Sequence, residues 1–188
     1  PLDNIEVKID NPDKEGVGEI LAKGPNIMLG YYKDEKKTKE AFKDGWFRTG
    51  DYGYIDDEGF IFITGRKNDI IVLRNGKNVY PQELEFLISK LPYVAECMVF
   101  ARNESNTDTA IVAKIVYNKE VMEKDYPDTK KEDYEKIIWK DVKEINKTLP
   151  TFKHIKKVIV TDEPMLKTTT QKVKRNEEIK KTEKELQK

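Results

Sequence analysis

Asp51, Arg66 and Lys172 are the residues whose type and setting could do chemistry in this 188-residue sequence. Asp51 ends Thr49-Gly50-Asp51 at the start of a hairpin. A carboxylate there can accept hydrogen bonds from two adjacent hydroxyls, as a ribose diol requires; it can equally cap a turn. Arg66 stands behind Gly65 at the end of the strand that follows the hairpin. Strand, turn and strand return the chain to the end where it began, so Arg66 can lie near Asp51. There it could share a diol with Asp51 or form a plain ion pair with Asp51 or Asp69. Lys172 ends the polar run Thr168-Thr169-Thr170-Gln171-Lys172. A flexible ammonium suits an oxygen whose negative charge grows during phosphoryl chemistry, because it can approach closely and keep its proton. It is also one lysine among many on a solvated surface. Gly76, between Asn75 and Lys77, reads as a hairpin-turn glycine, or as a point where backbone closely approaches an elongated ligand.

Other chemistries find little support. His154 is the only histidine and has no second imidazole or thiol for a metal site or a catalytic dyad. Cys97 is the only cysteine and lies in an apolar strand, where packing outweighs reactivity. Ser89 and Ser105 are the only serines, and neither sits in a nucleophile elbow. No glycine- and hydroxyl-rich phosphate loop occurs.

These side chains need elements to hold them. Ile5 to Ile9 alternates with period two, and Gly18 to Ala22 continues toward a turn at Gly24-Pro25. Lys36 to Phe42 reads as a short helix closed by Asp44-Gly45. Tyr52 to Ile55 and Phe60 to Thr64 flank Asp56-Asp57-Glu58-Gly59 as a hairpin. Further on, Ile70 to Leu73 and Asn78 to Tyr80 are short strands around Asn75-Gly76. Pro81 suits a first helical position, and Leu84, Leu87, Ile88 and Leu91 follow at helical spacing. Val94 to Ala101 and Ala110 to Tyr117 are expected to pair as strands. Tyr134, Ile137, Ile138, Val142 and Ile145 mark an amphipathic helix, Lys156 to Val160 a last strand, and Val173 onward a charged helix. The fold class expected is α+β, with helices layered on a small sheet in the second half. About 120 residues there suffice for a core. The β-rich first 64 residues show strand signals without closure and read as a piece of a barrel.

Charged residues make up 37% of the chain and the formal net charge is zero, so there is no bulk field for a polyanion and a nucleic-acid partner is not expected. Arginine occurs only at Arg48, Arg66, Arg74, Arg102 and Arg175, so each raises the question of what its fork holds. A chain with one cysteine forms no internal disulfide, and no apolar run approaches a membrane span. Pro1 stands first without an initiating Met. The expectation is a soluble, cytoplasmic fragment of something longer, with at most peripheral membrane contact.

Five motifs occur in one order: Gly18-Glu19-Ile20, Gly30-Tyr31-Tyr32, Gly45-Trp46-Phe47-Arg48-Thr49-Gly50-Asp51, Gly65-Arg66-Lys67-Asn68-Asp69 and Pro81-Gln82-Glu83-Leu84-Glu85. Together with Lys167-Thr168-Thr169-Thr170-Gln171-Lys172 they resemble the closing third of the adenylate-forming acyl-activating enzymes, the acyl-CoA synthetase family. Asn75 to Pro81 is most similar to the long-chain fatty acyl-CoA ligases. The resemblance implies that residues 1–64 end a large N-terminal domain as part of its distorted barrel subdomain. Residues 65–69 are then a hinge, and 70–188 a mobile C-terminal domain with a short sheet and flanking helices. It implies a two-step reaction with ATP, Mg2+ and coenzyme A: a carboxylate attacks the α-phosphate to give acyl-AMP and pyrophosphate, then the CoA thiol displaces AMP. Asp51 and Arg66 would hold the ribose, Lys172 would act in the first step, Asn68 would be the pivot, and Gly76 and Lys77 would border the pantetheine tunnel. Leu166 replaces the family's usual Pro and Gln171 its usual Gly.

The phosphate loop, adenine pocket and acyl tunnel of the family belong to sequence not present here, so the chain alone is expected to be inactive. Two alternatives remain at this stage: an adenylation module that loads a carrier protein, and a non-catalytic α+β interaction module in which Asp51, Arg66 and Lys172 are dispensable.

Overall fold

The computed structural model describes residues 3–103 and 109–186 and divides the chain into two compact units, Pro1–Ile70 and Ile71–Lys188. Ser105 and the last two residues expected in the final helix lie outside the described residues. The architecture is α+β, as expected.

The first unit is an antiparallel sheet built on β1 (Glu6–Asp10), β2 (Gly18–Lys23), β3 (Phe42–Lys43), β4 (Trp46–Ile55) and β5 (Ile61–Arg66), with one helix, α1 (Glu35–Ala41). β4 is its spine, pairing with β2 along one edge and with β3 and then β5 along the other. α1 begins where the Asp34 carboxylate accepts from Lys37 N at 3.0 Å, an N-cap. Asp44-Gly45 was expected to close this helix. It is instead the two-residue turn between β3 and β4, because Phe42 has already left the helix for an extended conformation. Core is scarce: among the described residues of this unit, the buried hydrophobic side chains are Val17, Ile20 and Leu21, while Leu29, Tyr32, Phe60 and Ile63 stand largely in solvent.

The second unit is built differently. A small β6–β7 hairpin (Ile71–Val72 and Asn78–Val79) leads into α2 (Pro81–Ile88), with Pro81 at a first-turn position that needs no N–H donor. β8 (Val94–Asn103) and β9 (Thr109–Tyr117) pair antiparallel, and β10 (Lys157–Thr161) joins β9 in parallel after α3 (Lys119–Asp125) and α4 (Tyr134–Lys147). α5 (Arg175–Glu185) closes the chain. α3 had no periodic signal strong enough to be read; it is capped by the Asn118 side chain, which accepts from Val121 N.

Period-two alternation gives this sheet two buried faces. One packs Val99, Ile111, Ala113 and Ile115 against Leu84 and Ile88 of α2 and Ile138 and Val142 of α4. The other gathers Met98, Phe100, Val112 and Val116 with Met165, Val173 and Ile179. Burying a large aliphatic side chain contributes about 1.5–3 kcal/mol, so the unit has ample core to order its loops. Among the described residues, no helix is long and apolar enough to cross a membrane.

Candidate functional site

Asp51 and Arg66 are cross-strand partners of β4 and β5, and Arg66 Nε lies 2.8 Å from Asp51 Oδ1. The structure thus brings the first two candidate residues together, in the ion pair the sequence left open. Asp51 does not start a hairpin as expected; it lies midway along β4, directly after a bulge. Glu19 pairs with Tyr52 and Leu21 with Arg48, so Ile20 alone faces Thr49, Gly50 and Asp51. Gly50 takes the left-handed φ of 73° that such a bulge needs, and Thr49 Oγ1 ties it down by donating to Ile20 O at 2.7 Å and accepting from Asp51 N at 3.0 Å. The bulge re-aims Asp51. Arg66 is largely exposed, so its pair with Asp51 is close to solvent and leaves Asp51 Oδ2 and the terminal guanidinium nitrogens for another partner.

A buried carboxylate stands behind this pair. Glu19, only 4% exposed, accepts on one oxygen from Arg48 Nη2 at 2.7 Å and from Lys67 Nζ at 2.9 Å. Burial alone would raise the Glu19 pKa, but the hydrogen bonds from Arg48 and Lys67 outweigh it and hold the carboxyl below its usual range. The three residues tie β2 to β4 and to the short 3-10 turn Lys67–Asp69 that follows β5. An open groove of about 490 Å3 runs past Glu19, Arg48, Gly50, Lys67 and Asn68. Asp51 and Arg66 do not line it. Gly65 and Arg66, expected within the hinge segment, end β5. Asn68 lies in the 3-10 turn, and the two compact units divide after Ile70.

Lys172 belongs to the second unit. Lys167 and Val173 form an antiparallel bridge, and Thr168 N donates to Lys172 O at 2.8 Å, so residues 168–172 are a tight hairpin turn. Gln171 takes φ 63°, a left-handed conformation that costs an L-residue about 1–2 kcal/mol and costs glycine almost nothing. Both legs of the hairpin are fastened. Glu96 accepts from Met165 N at 3.1 Å and from Lys167 Nζ at 2.6 Å. Glu178, fully buried, accepts from Leu166 N at 2.9 Å and from Lys114 Nζ at 2.7 Å, and Lys114 also donates to Thr182 Oγ1. Burial pushes the Glu178 pKa up, yet the Leu166 N–H and the Lys114 ammonium prevail and hold it low. Arg175, on the other leg, donates to Glu85 Oε1 at 2.8 Å and to Val99 O at 2.6 Å. Among the described residues the exposed Lys172 ammonium makes no ion pair.

Gly76 takes φ 77° in the β6–β7 turn, and a Cβ built there would meet nothing within 4 Å. Its own backbone conformation accounts for the glycine. Lys77 extends over the Phe152 ring, 4.2 Å from its centroid, and Phe152 helps to line a pocket of about 260 Å3 with Arg74, Asn75, His154 and Lys156. His154 Nε2 sits 3.0 Å from Leu149 O, a structural contact. Burial pushes the Cys97 thiol up and makes it inert. Among the described residues no three His, Cys, Asp or Glu side chains converge as a metal site.

Sequence reading missed Glu19, Glu96, Glu178 and Lys114 as organisers. Two signals pointed to some of this bracing, though none to Glu96. Arg48 and Arg175 are scarce arginines, and both turn out to hold glutamates. Lys114 is a lone charge inside the apolar run Ala110 to Tyr117, which calls for a buried partner.

The AMP-binding enzyme C-terminal domain family matches residues 68–188. The 2-succinylbenzoate–CoA ligase of Listeria innocua is 40% identical over 159 residues, covering 85% of this chain and 30% of that protein. The indoleacetate–CoA ligase of Aromatoleum aromaticum is 42% identical over 99 residues, 53% of this chain and 19% of that protein. Among solved structures, the o-succinylbenzoate CoA synthetase of Bacillus subtilis with its acyl-adenylate intermediate aligns at a TM-score of 0.74 and 29% identity, covering 94% of this chain and 34% of that one. The chain therefore spans less than a third of the curated relatives it matches.

Proposed function

The chain belongs to the AMP-binding enzyme C-terminal domain family, and from that premise we propose that it is the C-terminal portion of an ATP-dependent, AMP-forming acyl-CoA ligase. The observation that carries this reading is Lys172: an exposed ammonium without an ion pair among the described residues, on a hairpin whose two legs are bonded to β8, α2 and α5. Such a charge is mounted for a partner that the described residues do not supply.

In the first step a carboxylate oxygen attacks the α-phosphorus of ATP, a new P–O bond forms, and the bond to pyrophosphate breaks. Lys172 stabilises the negative charge that grows on the oxygens in transit and keeps its own proton. Asp51 accepts from the ribose hydroxyls through the oxygen not engaged by Arg66, and Arg66 donates to the same sugar. In the second step the CoA thiol attacks the acyl carbon and AMP leaves. Asn68 is the pivot between the steps, with residues 70–188 the mobile domain. Gly76 and Lys77 border the pantetheine path, beside the pocket that Phe152 lines. ATP, Mg2+ and CoA are substrates and cofactor of the whole ligase. The metal, when bound, would neutralise phosphate charge.

The acid is a carboxylic acid whose pocket lies outside the chain. A long-chain fatty acid is suggested only by the Asn75–Pro81 segment. The relatives above are named for 2-succinylbenzoate and indoleacetate, so an arylalkanoic or aromatic acid is equally supported. The isolated chain is expected to be inactive; ATP–pyrophosphate exchange by it, above a Lys172→Ala control, would overturn that. In the intact ligase, Lys172→Ala should lower exchange about a hundredfold or more while CoA still consumes supplied acyl-adenylate. Undiminished exchange would end the catalytic assignment.

A further inference from the structure

We propose that Glu96 is a positioning residue for Lys172, an inference that rests on the reading of Lys172 just given. Glu96 is on β8, and nothing in its neighbourhood in sequence suggests a tie to the terminal hairpin. Its setting comes from a bulge. Val94 pairs with Tyr117 but Glu96 pairs with Val116, so one extra residue, Ala95, is inserted in β8. Two residues apart on a regular strand, Val94 and Glu96 would share a face. Here Val94 packs with the cluster around Val99 and Ile115, while Glu96 faces the side of Met98 and Met165. The bulge turns Glu96 toward the hairpin.

Its two oxygens then divide the work. Oε2 accepts from Met165 N and fixes the backbone where the leg begins. Oε1 binds the Lys167 ammonium at 2.6 Å, and Lys167 is bridged to Val173, the residue next to Lys172. Three ammonium groups thus belong to one hairpin: Lys167 on the first leg, Lys172 at the end of the turn and Lys174 on the second leg, where it pairs with Glu177 at 3.1 Å. Glu96 neutralises the first and Glu177 the third, which leaves Lys172 to face an anion. Glu178 holds the adjacent amide, Leu166 N, from the other side, so the leg is gripped at successive residues by carboxylates from β8 and α5. The Glu96 pair is partly exposed, 18% for Glu96 and 28% for Lys167. A pair so placed adds little to global stability. Its consequence is local: register of the leg and selection of the free lysine.

The test is a double-mutant cycle in the intact ligase with wild type, Glu96→Gln, Lys172→Ala and the double variant. Two half-reactions are read: ATP–pyrophosphate exchange, and CoA-dependent consumption of supplied acyl-adenylate. Glu96→Gln should slow exchange roughly ten- to a hundredfold through misplacement. The KM for ATP and the second half-reaction should stay within about twofold. In the Lys172→Ala background Glu96→Gln should cost nothing more, since it acts through a group already gone. Independent losses that multiply would overturn the proposal, because a structural defect would behave so. Unchanged exchange in Glu96→Gln, with Lys172→Ala impaired, would overturn this proposal alone. Unchanged exchange in Lys172→Ala would overturn the reading beneath it, and this proposal with it. Should Glu96→Gln fail to fold, Lys167→Gln, which leaves the bond to Met165 N, is expected to slow the same step, and no loss there overturns the proposal. On the 188-residue chain itself, amide exchange at Thr168 should rise in Glu96→Gln; an unchanged rate counts against it.

Discussion

The two units hold their key side chains by opposite means. In Pro1–Ile70 the strand carrying Asp51 rests on a sheet with few buried aliphatics, and what braces it is charge: Arg48 and Lys67 on the buried Glu19, then Arg66 on Asp51. In Ile71–Lys188 two apolar clusters fill both faces of a three-stranded sheet, and charge is used to fasten one loop onto that core. The first unit leaves Phe60, Ile63 and Tyr32 in water, whereas a filled core can present a single lysine with its backbone fixed. The first arrangement suits binding, where side chains adjust to a ligand. The second suits chemistry, where a misplacement of about 1 Å is costly.

The largest effect expected from breaking this contrast is at Lys114. Lys114→Met leaves Glu178 buried without its cation, and should destabilise the second unit by about 3–5 kcal/mol, read from urea unfolding followed by Trp139 fluorescence. A shift under about 1 kcal/mol would mean the pair is not holding α5 to the sheet. The same pair sets a pH dependence. The Glu178 pKa is lower in the folded than in the unfolded chain, so its contribution is complete above the ordinary glutamate range, about 4.3, and is lost as pH falls through the lower folded value. In Lys114→Met that acid-side loss should shrink.

In the first unit the corresponding test is Glu19→Gln. Two cations would keep only an amide oxygen, and a loss of about 2 kcal/mol is expected in an unfolding curve followed at Trp46. No loss would show that the apolar residues, few as they are, suffice.

Much of this contrast was legible in the sequence, and its limits have a physical cause. The apolar, β-branched runs at 94–101 and 110–117 and the helical spacing around Ile138 pointed to the second unit's core, because burial on both sides of a sheet makes a strand almost continuously apolar. Asp51 and Arg66 were placed near each other from strand–turn–strand geometry alone. The bulges at Thr49–Asp51 and at Ala95 were not read, since a bulge shifts register without altering composition. Nor was the role of Glu96, Glu178 and Arg175, whose partners lie far along the chain: 69 to 71 residues for the contacts of Glu96 and 90 for Arg175 to Glu85. Local patterns cannot encode such pairs, although scarce arginines and a lone lysine in an apolar run mark where to look.

The smallest effect sharpens the contrast by showing that the hairpin is shaped by backbone as well as by charge. Gln171→Gly relieves a left-handed glutamine and should stabilise the second unit by roughly 0.5–1 kcal/mol in the same Trp139 unfolding assay. Destabilisation would mean the glutamine side chain holds the turn.

The proposed division between binding in the first unit and chemistry in the second is tested most directly by steady-state adenylation kinetics of the intact ligase carrying Asp51→Ala or Lys172→Ala. The expected result is a raised KM for ATP with a lesser fall in kcat for Asp51→Ala, and a fall in kcat of about a hundredfold with KM nearly unchanged for Lys172→Ala. A Lys172→Ala enzyme with full kcat and only a weakened hold on ATP would contradict the account.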